Sequence, residues 1–293
     1  MAEGGAPPPG AMRSGMGTGI VAVIAVVLFV VGLVVGGFAL GPVFNPPTTI
    51  PPPMLGNSIV VGTNTPFTPF EYRDADGALI GFTIDLVEEI GSRAGLTIIW
   101  SDYTDWDTLL AAGEVGAVNM IASSMTITTT RDEVYDFSTS YYSANQAVLV
   151  RTGSTLTCAN KVCSASDLQG MTWVVQTGTT SNIWAEENLG ATCATGGPLF
   201  CFDDVPTVLT TVSSGAAEVA IMDLPAAVAF ANDPANNLVA IGKITTNELY
   251  GMAVEEGDPL AILPIINPIL QALLDEGFVE NLAVQWGVPT EVP

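Results

Sequence analysis

The sequence predicts an α/β fold in which two similar units follow one another, with a single transmembrane helix in front of them. From about residue 57 onward, short apolar runs alternate with segments of helical periodicity, and this alternation begins again near residue 147. Such an order is typical of α/β proteins. An uninterrupted apolar run occupies residues 20–40 and is long enough to span a membrane as a helix.

The N-terminal segments predict a membrane-anchored protein. Residues 1–19 are rich in Gly, Pro, Ala and Met, which indicates a disordered tail. We expect an uncleaved anchor at residues 20–41, because the apolar region of a cleaved signal peptide is shorter. Arg13 is the only basic residue near this run on its N-terminal side, which places the tail in the cytoplasm. The Pro-rich residues 42–56 then form a stiff linker to a domain outside the cell membrane.

In the first unit, the pattern predicts strands and helices in alternation. The strands are expected at residues 58–63, 97–100 and 119–122, and the helices at 82–90 and 105–112. Helical spacing is clearest at 82–90, which we expect to end at Gly91 or Gly95.

The second unit repeats this pattern. Its strands are expected at residues 147–150, 171–175, 218–222 and 250–254, and its helices at 182–188, 206–214, 226–231, 259–275 and 279–286. The spacing predicts a mostly parallel sheet, in which ligands bind at the carboxyl ends of strands.

Composition excludes several function classes. The 293 residues are 48% hydrophobic, enough for one or two domains, and carry a net charge of −23 with no histidine. Nucleic-acid binding requires a basic surface, so no nucleic-acid partner is expected. The lack of histidine removes Ser–His and Cys–His catalysis and most zinc sites. We therefore expect no metal and no other cofactor.

All four cysteines lie in the predicted external part, as two close pairs: Cys158 with Cys163, and Cys193 with Cys201. Two local disulfides are the natural interpretation outside the cell, although four cysteines allow three pairings. A four-cysteine metal site is the alternative. Its spacings of four and seven intervening residues fit zinc ribbons poorly.

A run of hydroxyl residues leads into Arg131 and is typical of an anion-binding segment. Six Ser and Thr side chains precede the arginine within residues 123–130. An arginine can meet both oxygens of a carboxylate, which favours that anion. The alternative is an ordinary strand-to-helix junction capped by Thr128 or Thr129. Asp223 also follows a predicted strand, so both charges lie where open α/β sheets bind ligands. Asp223 could instead cap the helix that follows it.

Motifs spread along the chain resemble, in order, those of the extracellular solute-binding proteins of family 3, which serve polar amino-acid ABC transporters. They are VGTNTPFTPFEY at 61–72, GALIGFTIDL at 77–86, SMTITTTR at 124–131 with DFS at 136–138, DLQG at 167–170, QTGTT at 176–180, AIMD at 220–223, DEG at 275–277 and QWG at 285–287. The resemblance covers about residues 57–288. It implies a type II periplasmic-binding-protein-like bilobed fold and an ABC transporter permease as partner. Lobe 1 would comprise residues 57–145 and 246–293, and lobe 2 residues 146–245.

The resemblance also implies how the lobes hold an amino acid. The α-carboxylate would bind Arg131, with hydroxyl and N–H groups of Ser124 and Thr126. Thr179 and Thr180 would add donors from lobe 2.

Other matched positions would complete the site. Asp223 would take the α-ammonium group, while Phe67 and Trp106 would enclose the ligand side chain. Judged by residue type alone, both aromatic residues would more often belong to a core. Asn64 and Gln176 match further pocket positions. Some relatives that bind cationic amino acids have an acid at the Asn64 position.

Asparagine at position 64, where some relatives have an acid, favours a neutral polar or aliphatic amino acid as ligand. No basic residue besides Arg131 occupies a matched pocket position, so a second ligand carboxylate would lack a partner. The sequence thus predicts a membrane-anchored binding protein and no enzyme. Two alternatives are an enzyme on the same fold, similar to prephenate or arogenate dehydratases with Glu71 as candidate general acid, and a ligand-sensing subunit.

Overall fold

The computed structural model describes residues 56–193 and 196–293, which form a mixed sheet covered by helices. The α/β prediction is confirmed. The predicted tail, the predicted anchor and nearly all of the predicted linker lie outside the described residues. Within the described ranges, no helix is both long enough and apolar enough to cross a membrane.

Eleven strands and eight helices follow one another along the described residues. The strands are β1 (Ser58–Asn64), β2 (Tyr72–Arg73), β3 (Leu79–Ile80), β4 (Thr97–Tyr103), β5 (Met120–Thr126), β6 (Tyr135–Phe137), β7 (Tyr142–Arg151), β8 (Trp173–Gln176), β9 (Leu199–Phe202), β10 (Val219–Asp223) and β11 (Leu238–Glu255). The helices are α1 (Phe82–Ala94), α2 (Trp106–Glu114), α3 (Ala165–Leu168), α4 (Thr180–Leu189), α5 (Val205–Ser214), α6 (Leu224–Asn232), α7 (Leu263–Asp275) and α8 (Phe278–Gln285).

The large sheet has the strand order β4-β1-β5-β11-β7-β10-β8-β9, and β6 also pairs with β11. Four of its strand pairings are parallel and four are antiparallel, so the predicted mostly parallel sheet is wrong. The antiparallel pairings come from β7 and from β11, which has 18 residues. Only the last part of β11 was predicted, at residues 250–254, and β9 was not predicted.

Buried side chains form separate cores at the two ends of β7 and β11. Ala144 packs in the core that contains Ile59, whereas Ala147 packs in the core that contains Val208. On β11, Ile244 packs in a core with Val148, whereas Tyr250 packs in the core that contains Ile59. We keep the names lobe 1 and lobe 2 for these two sides. The exact residue boundaries of the lobes stay a prediction.

The C-terminal residues contact lobe 2 as well. Val292 is buried in the core that contains Val208, and Lys243 Nζ lies 2.8 Å from Glu291 Oε1. The C-terminal residues thus add a contact between the two sides of the protein, besides the β7 and β11 crossings.

Both local disulfides are formed, Cys158–Cys163 and Cys193–Cys201. The first lies against β11 at Gly242, where a Cβ atom would be 2.5 Å from Cys163 Sγ. Only glycine fits this approach of the disulfide to the strand.

Candidate ligand-binding site

A cavity between the lobes lies at the carboxyl ends of β1, β5, β8 and β10. It holds about 520 Å³ of empty space, part of it open to solvent. All ten predicted site residues line it: Asn64, Phe67, Trp106, Ser124, Thr126, Arg131, Gln176, Thr179, Thr180 and Asp223. Ser123, Ser181, Val205 and Met222 complete the lining. Sequence reasoning thus found residues that come together, while their binding of a ligand stays a prediction.

The segment that carries Arg131 differs from the predicted strand-to-helix junction. β5 continues through Thr126, and a single 3₁₀ turn at Arg131–Glu133 replaces a helix. Thr128 does act as a cap, because its Oγ1 accepts a hydrogen bond of 3.1 Å from Arg131 N. No longer helix forms because β6 begins at Tyr135 and pairs with β11.

Arg131 is 9% exposed and is held from both lobes. Its Nη1 donates to Thr126 O at 2.8 Å, and its Nη2 donates to Gly178 O at 3.2 Å. The guanidinium carbon lies 5.4 Å from the centre of the Trp106 ring, a cation–π arrangement. Burial lowers the pKa of Arg131, whereas the nearby charge of Asp223 opposes this shift. A guanidinium has five N–H groups, so donors remain for a carboxylate.

The lobes touch where the loop before α4 meets the start of α2. Gly178 O accepts a second hydrogen bond, of 3.3 Å, from Trp106 Nε1. Gly178 has φ of +70°, and a Cβ atom there would lie 2.4 Å from Asp107 Oδ1. Glycine at this position avoids both backbone strain and a close approach to the Asp107 side chain of lobe 1.

Thr179 and Thr180 lie at the N-terminus of α4. Thr179 is the N-cap residue, and its Oγ1 accepts from Asn182 N at 3.3 Å. The N–H groups of a first helical turn and the helix dipole favour an anion nearby. Thr180 Oγ1 donates to Glu248 Oε2 at 2.7 Å.

Asp223 ends β10 and occupies the N-cap position of α6, but its side chain makes no capping hydrogen bond. Its carboxylate instead accepts from Tyr250 Oη and Gln146 Nε2. The capping alternative for this side chain is therefore wrong. Burial, followed by the charge of Glu248, raises the pKa of Asp223 to about 7.

Amide side chains and aromatic rings supply the uncharged part of the lining. Gln176 Nε2 donates to Asn64 Oδ1 at 3.1 Å and so joins the lobes. Phe67 lines the cavity and also packs against buried residues of both lobes. Trp106 is likewise both lining and core. Both aromatic residues therefore belong to a core and also line the cavity, while their enclosing of a ligand side chain stays a prediction.

Sequence reasoning missed Glu248 and Gln146, whose side chains meet behind the cavity. Gln146 Nε2 donates to Glu248 Oε1 at 2.8 Å. No local signal in the sequence indicates either residue, because the strand that carries Glu248 was not predicted there and its burial is visible only in the structure. Glu71 is fully buried, and its carboxyl group accepts from Ser123 Oγ at 3.3 Å. Burial raises the pKa of Glu71 to about 8.

Comparisons with known proteins identify related sequences and related structures. The sequence model of the bacterial extracellular solute-binding proteins, family 3, matches residues 59–289. A probable histidine-binding protein from Neisseria gonorrhoeae is 30% identical, over 77% of this chain and 81% of its own length. The structure of holo ArgBP from T. maritima has a TM-score of 0.67 at 30% identity and covers 79% of this chain and 96% of its own. An ancestral arginine-binding protein bound to glutamine has a TM-score of 0.69 at 28% identity, with 78% and 97% covered. The chain belongs to the bacterial extracellular solute-binding proteins of family 3.

Proposed function

We propose that this protein captures an amino acid between two lobes outside the cell membrane and delivers it to an ABC transporter permease. The observation that carries this proposal is the pair of opposite charges in one buried cavity, Arg131 from lobe 1 and Asp223 from lobe 2. A zwitterion matches both charges at once. Because each charge comes from a different lobe, such a ligand favours the closed arrangement over the open one.

The two ends of the ligand backbone have distinct partners. The α-carboxylate binds the remaining N–H groups of Arg131 and the N-terminus of α4. The α-ammonium group binds Asp223, whose raised pKa falls again when a cation lies beside it.

We propose a neutral polar or aliphatic side chain for the ligand. Among the described residues that line the cavity, Arg131 and Asp223 are the only charged ones. A third charge on the ligand would be buried without a partner, which is unfavourable. Asn64, Gln176 and Met222 offer amide and thioether groups instead. Ancestral arginine-binding proteins have been solved with glutamine bound and with arginine bound, so related folds accept a neutral side chain as well as a cationic one.

The proposal includes the predicted organisation of the whole chain. Residues 20–41 anchor the protein in the cell membrane as a single pass, residues 1–19 stay in the cytoplasm, and residues 42–56 link the anchor to a type II binding-protein fold. Lobe 1 is formed by residues 57–145 and 246–293, and lobe 2 by residues 146–245. A protease added to intact cells should remove the folded domain and leave the N-terminal tail protected.

Calorimetric titration of the full chain with the twenty common amino acids tests the ligand. We expect a neutral amino acid to bind most tightly, and Arg131→Ala to abolish its binding. Arg73→Ala is the matched control, because Arg73 is half-exposed and pairs with Asp102 at 2.8 Å. Tightest binding of arginine or glutamate would contradict the proposed specificity. Binding of no amino acid would overturn the function.

A further inference from the structure

Glu248 lies where β11 crosses between the lobes and contacts both of them. Its Oε2 accepts hydrogen bonds of 2.7 Å from Thr126 Oγ1 of lobe 1 and of 2.7 Å from Thr180 Oγ1 of lobe 2. Its Oε1 accepts from Gln146 Nε2 on β7 at 2.8 Å. One carboxylate thus joins lobe 1, lobe 2 and both crossing strands.

The same carboxylate lies behind residues that line the cavity. Thr126 and Thr180 line the cavity on one side and a separate groove on the other. Glu248 lines the groove and does not line the cavity, and it is 9% exposed. It therefore stands behind the two threonines and connects them without facing the ligand space.

We propose that Glu248 is a positioning residue that holds the lobes together behind the ligand through Thr126 and Thr180. This inference rests on the proposed function and concerns how the same site is closed. A threonine hydroxyl has one hydrogen to donate. Because both hydroxyl hydrogens are directed to Glu248, neither is left for the ligand carboxylate. The ligand carboxylate then depends on Arg131 and on backbone N–H groups.

Glu248 also acts on Asp223 through charge. Gln146 Nε2 donates to both carboxylates, so the amide holds them side by side. The charged and titratable groups that face Asp223 are Arg131, Glu248, Tyr250 and Glu71. Asp223 must be ionised to bind an ammonium group, so affinity should rise with pH through its pKa in the free protein, about 7. Because Glu248 raises this pKa, removing its charge should move the rise in affinity to lower pH.

Two substitutions of Glu248 separate its contacts from its charge. Glu248→Gln keeps one oxygen that can accept from both threonines, but it removes the charge and puts an NH₂ group where Oε1 accepts from Gln146 Nε2. Glu248→Ala removes both. The matched control is Glu187→Gln, because Glu187 is an exposed acid that lines the same groove. All variants are made in the full chain and titrated with the amino acid that binds the unmodified protein most tightly.

We expect Glu248→Ala to weaken affinity roughly 10- to 100-fold, mostly through faster dissociation, since it removes the two charge-assisted hydrogen bonds that join the lobes, together with the one from Gln146. Glu248→Gln should lose less affinity, and its pH midpoint should be lower than that of Glu187→Gln. A residue with only a structural role would leave that midpoint unchanged. If Glu248→Ala fails to fold, Thr180→Val removes the same contact at similar volume and should also weaken binding.

Hydrogen exchange without ligand provides a second measurement. Peptides covering residues 123–131 and 178–184 should exchange faster in both Glu248 variants than in Glu187→Gln. Equal exchange, equal affinity and an equal pH midpoint in the three variants would overturn the inference. If the unmodified protein binds no amino acid, the proposed function fails, while the exchange rates still decide whether Glu248 joins the lobes.

Discussion

Replacing Gly178 with alanine tests whether contact between the lobes contributes to ligand affinity. Gly178 has φ of +70°, so an alanine there costs about 1 kcal/mol of backbone energy in either arrangement of the lobes. Its Cβ atom would also lie 2.4 Å from Asp107 Oδ1 and 3.3 Å from Trp106 Cδ1. This second cost exists only while the lobes touch. Because the proposed ligand is held between touching lobes, the second cost should weaken ligand binding.

The size of the second cost follows from the two neighbours. The Asp107 side chain is exposed and can turn away, whereas Trp106 is buried and cannot. We therefore expect about 1–2 kcal/mol, toward the lower end of measured overpacking costs. This corresponds to roughly 5- to 30-fold weaker binding by calorimetric titration.

Gly190→Ala is the matched control. Gly190 has φ of +68°, and no heavy atom lies within 4 Å of its built Cβ position. Both variants should lower the melting temperature by about 2–4 °C, but only Gly178→Ala should weaken binding. Asp107→Ala combined with Gly178→Ala should restore part of the affinity. Equal affinities of the two glycine variants would refute the reasoning.

Two other substitutions test the carboxyl and amide groups of the site. Glu71 has a pKa of about 8 in the folded protein against 4.5 ordinarily, so its contribution to stability is lost as pH rises between these values. The free energy of unfolding should fall by about 1.4 kcal/mol per pH unit in this range, and urea unfolding of Glu71→Gln should show this fall removed. Asn64→Asp adds an acid to the cavity lining and should improve binding of arginine relative to glutamine roughly tenfold in competition titrations. An unchanged ratio of the two affinities would show that Asn64 does not face the ligand side chain.

Local patterns were enough to predict elements with a clear apolar pattern. The helix predicted at residues 82–90 corresponds to α1, which buries one face, and the strand at 218–222 corresponds to β10, which is buried throughout. Helical periodicity in the first and a short continuous apolar run in the second can be detected in a single sequence. The site residues were found through motifs, because motifs carry information on distant parts of the chain that periodicity lacks.

Features that depend on pairing between distant strands were missed. The first part of β11 alternates between buried and less buried positions, but in the sequence Gly242 and the polar residues 245–248 interrupt its apolar residues. Its strand form comes from pairing with β7 and β5. Since Glu248 lies on this strand, its contacts with Thr126 and Thr180 could not be predicted locally. The partners of Asp223 could not be predicted for the same reason.

Contacts between the lobes fall into two classes with different consequences for binding. Contacts of the first class use protein atoms alone: Arg131 and Trp106 reach Gly178, and Glu248 joins two threonines. Such contacts set the fraction of protein that is already closed, and the apparent affinity for every ligand scales with that fraction. Weakening them should therefore lower affinity for all amino acids by a similar factor.

Side chains of the second class line the cavity and, in the proposed function, face the ligand side chain. Asn64 and Gln176 belong to both classes, because their hydrogen bond joins the lobes while their amides line the cavity. A substitution at Asn64 should then change the overall affinity and the preference among amino acids together. Substitutions at Gly178 or Glu248 should change the overall affinity without changing the preference among amino acids, because a ligand shifts the lobes only by its own difference in affinity for the open and closed arrangements.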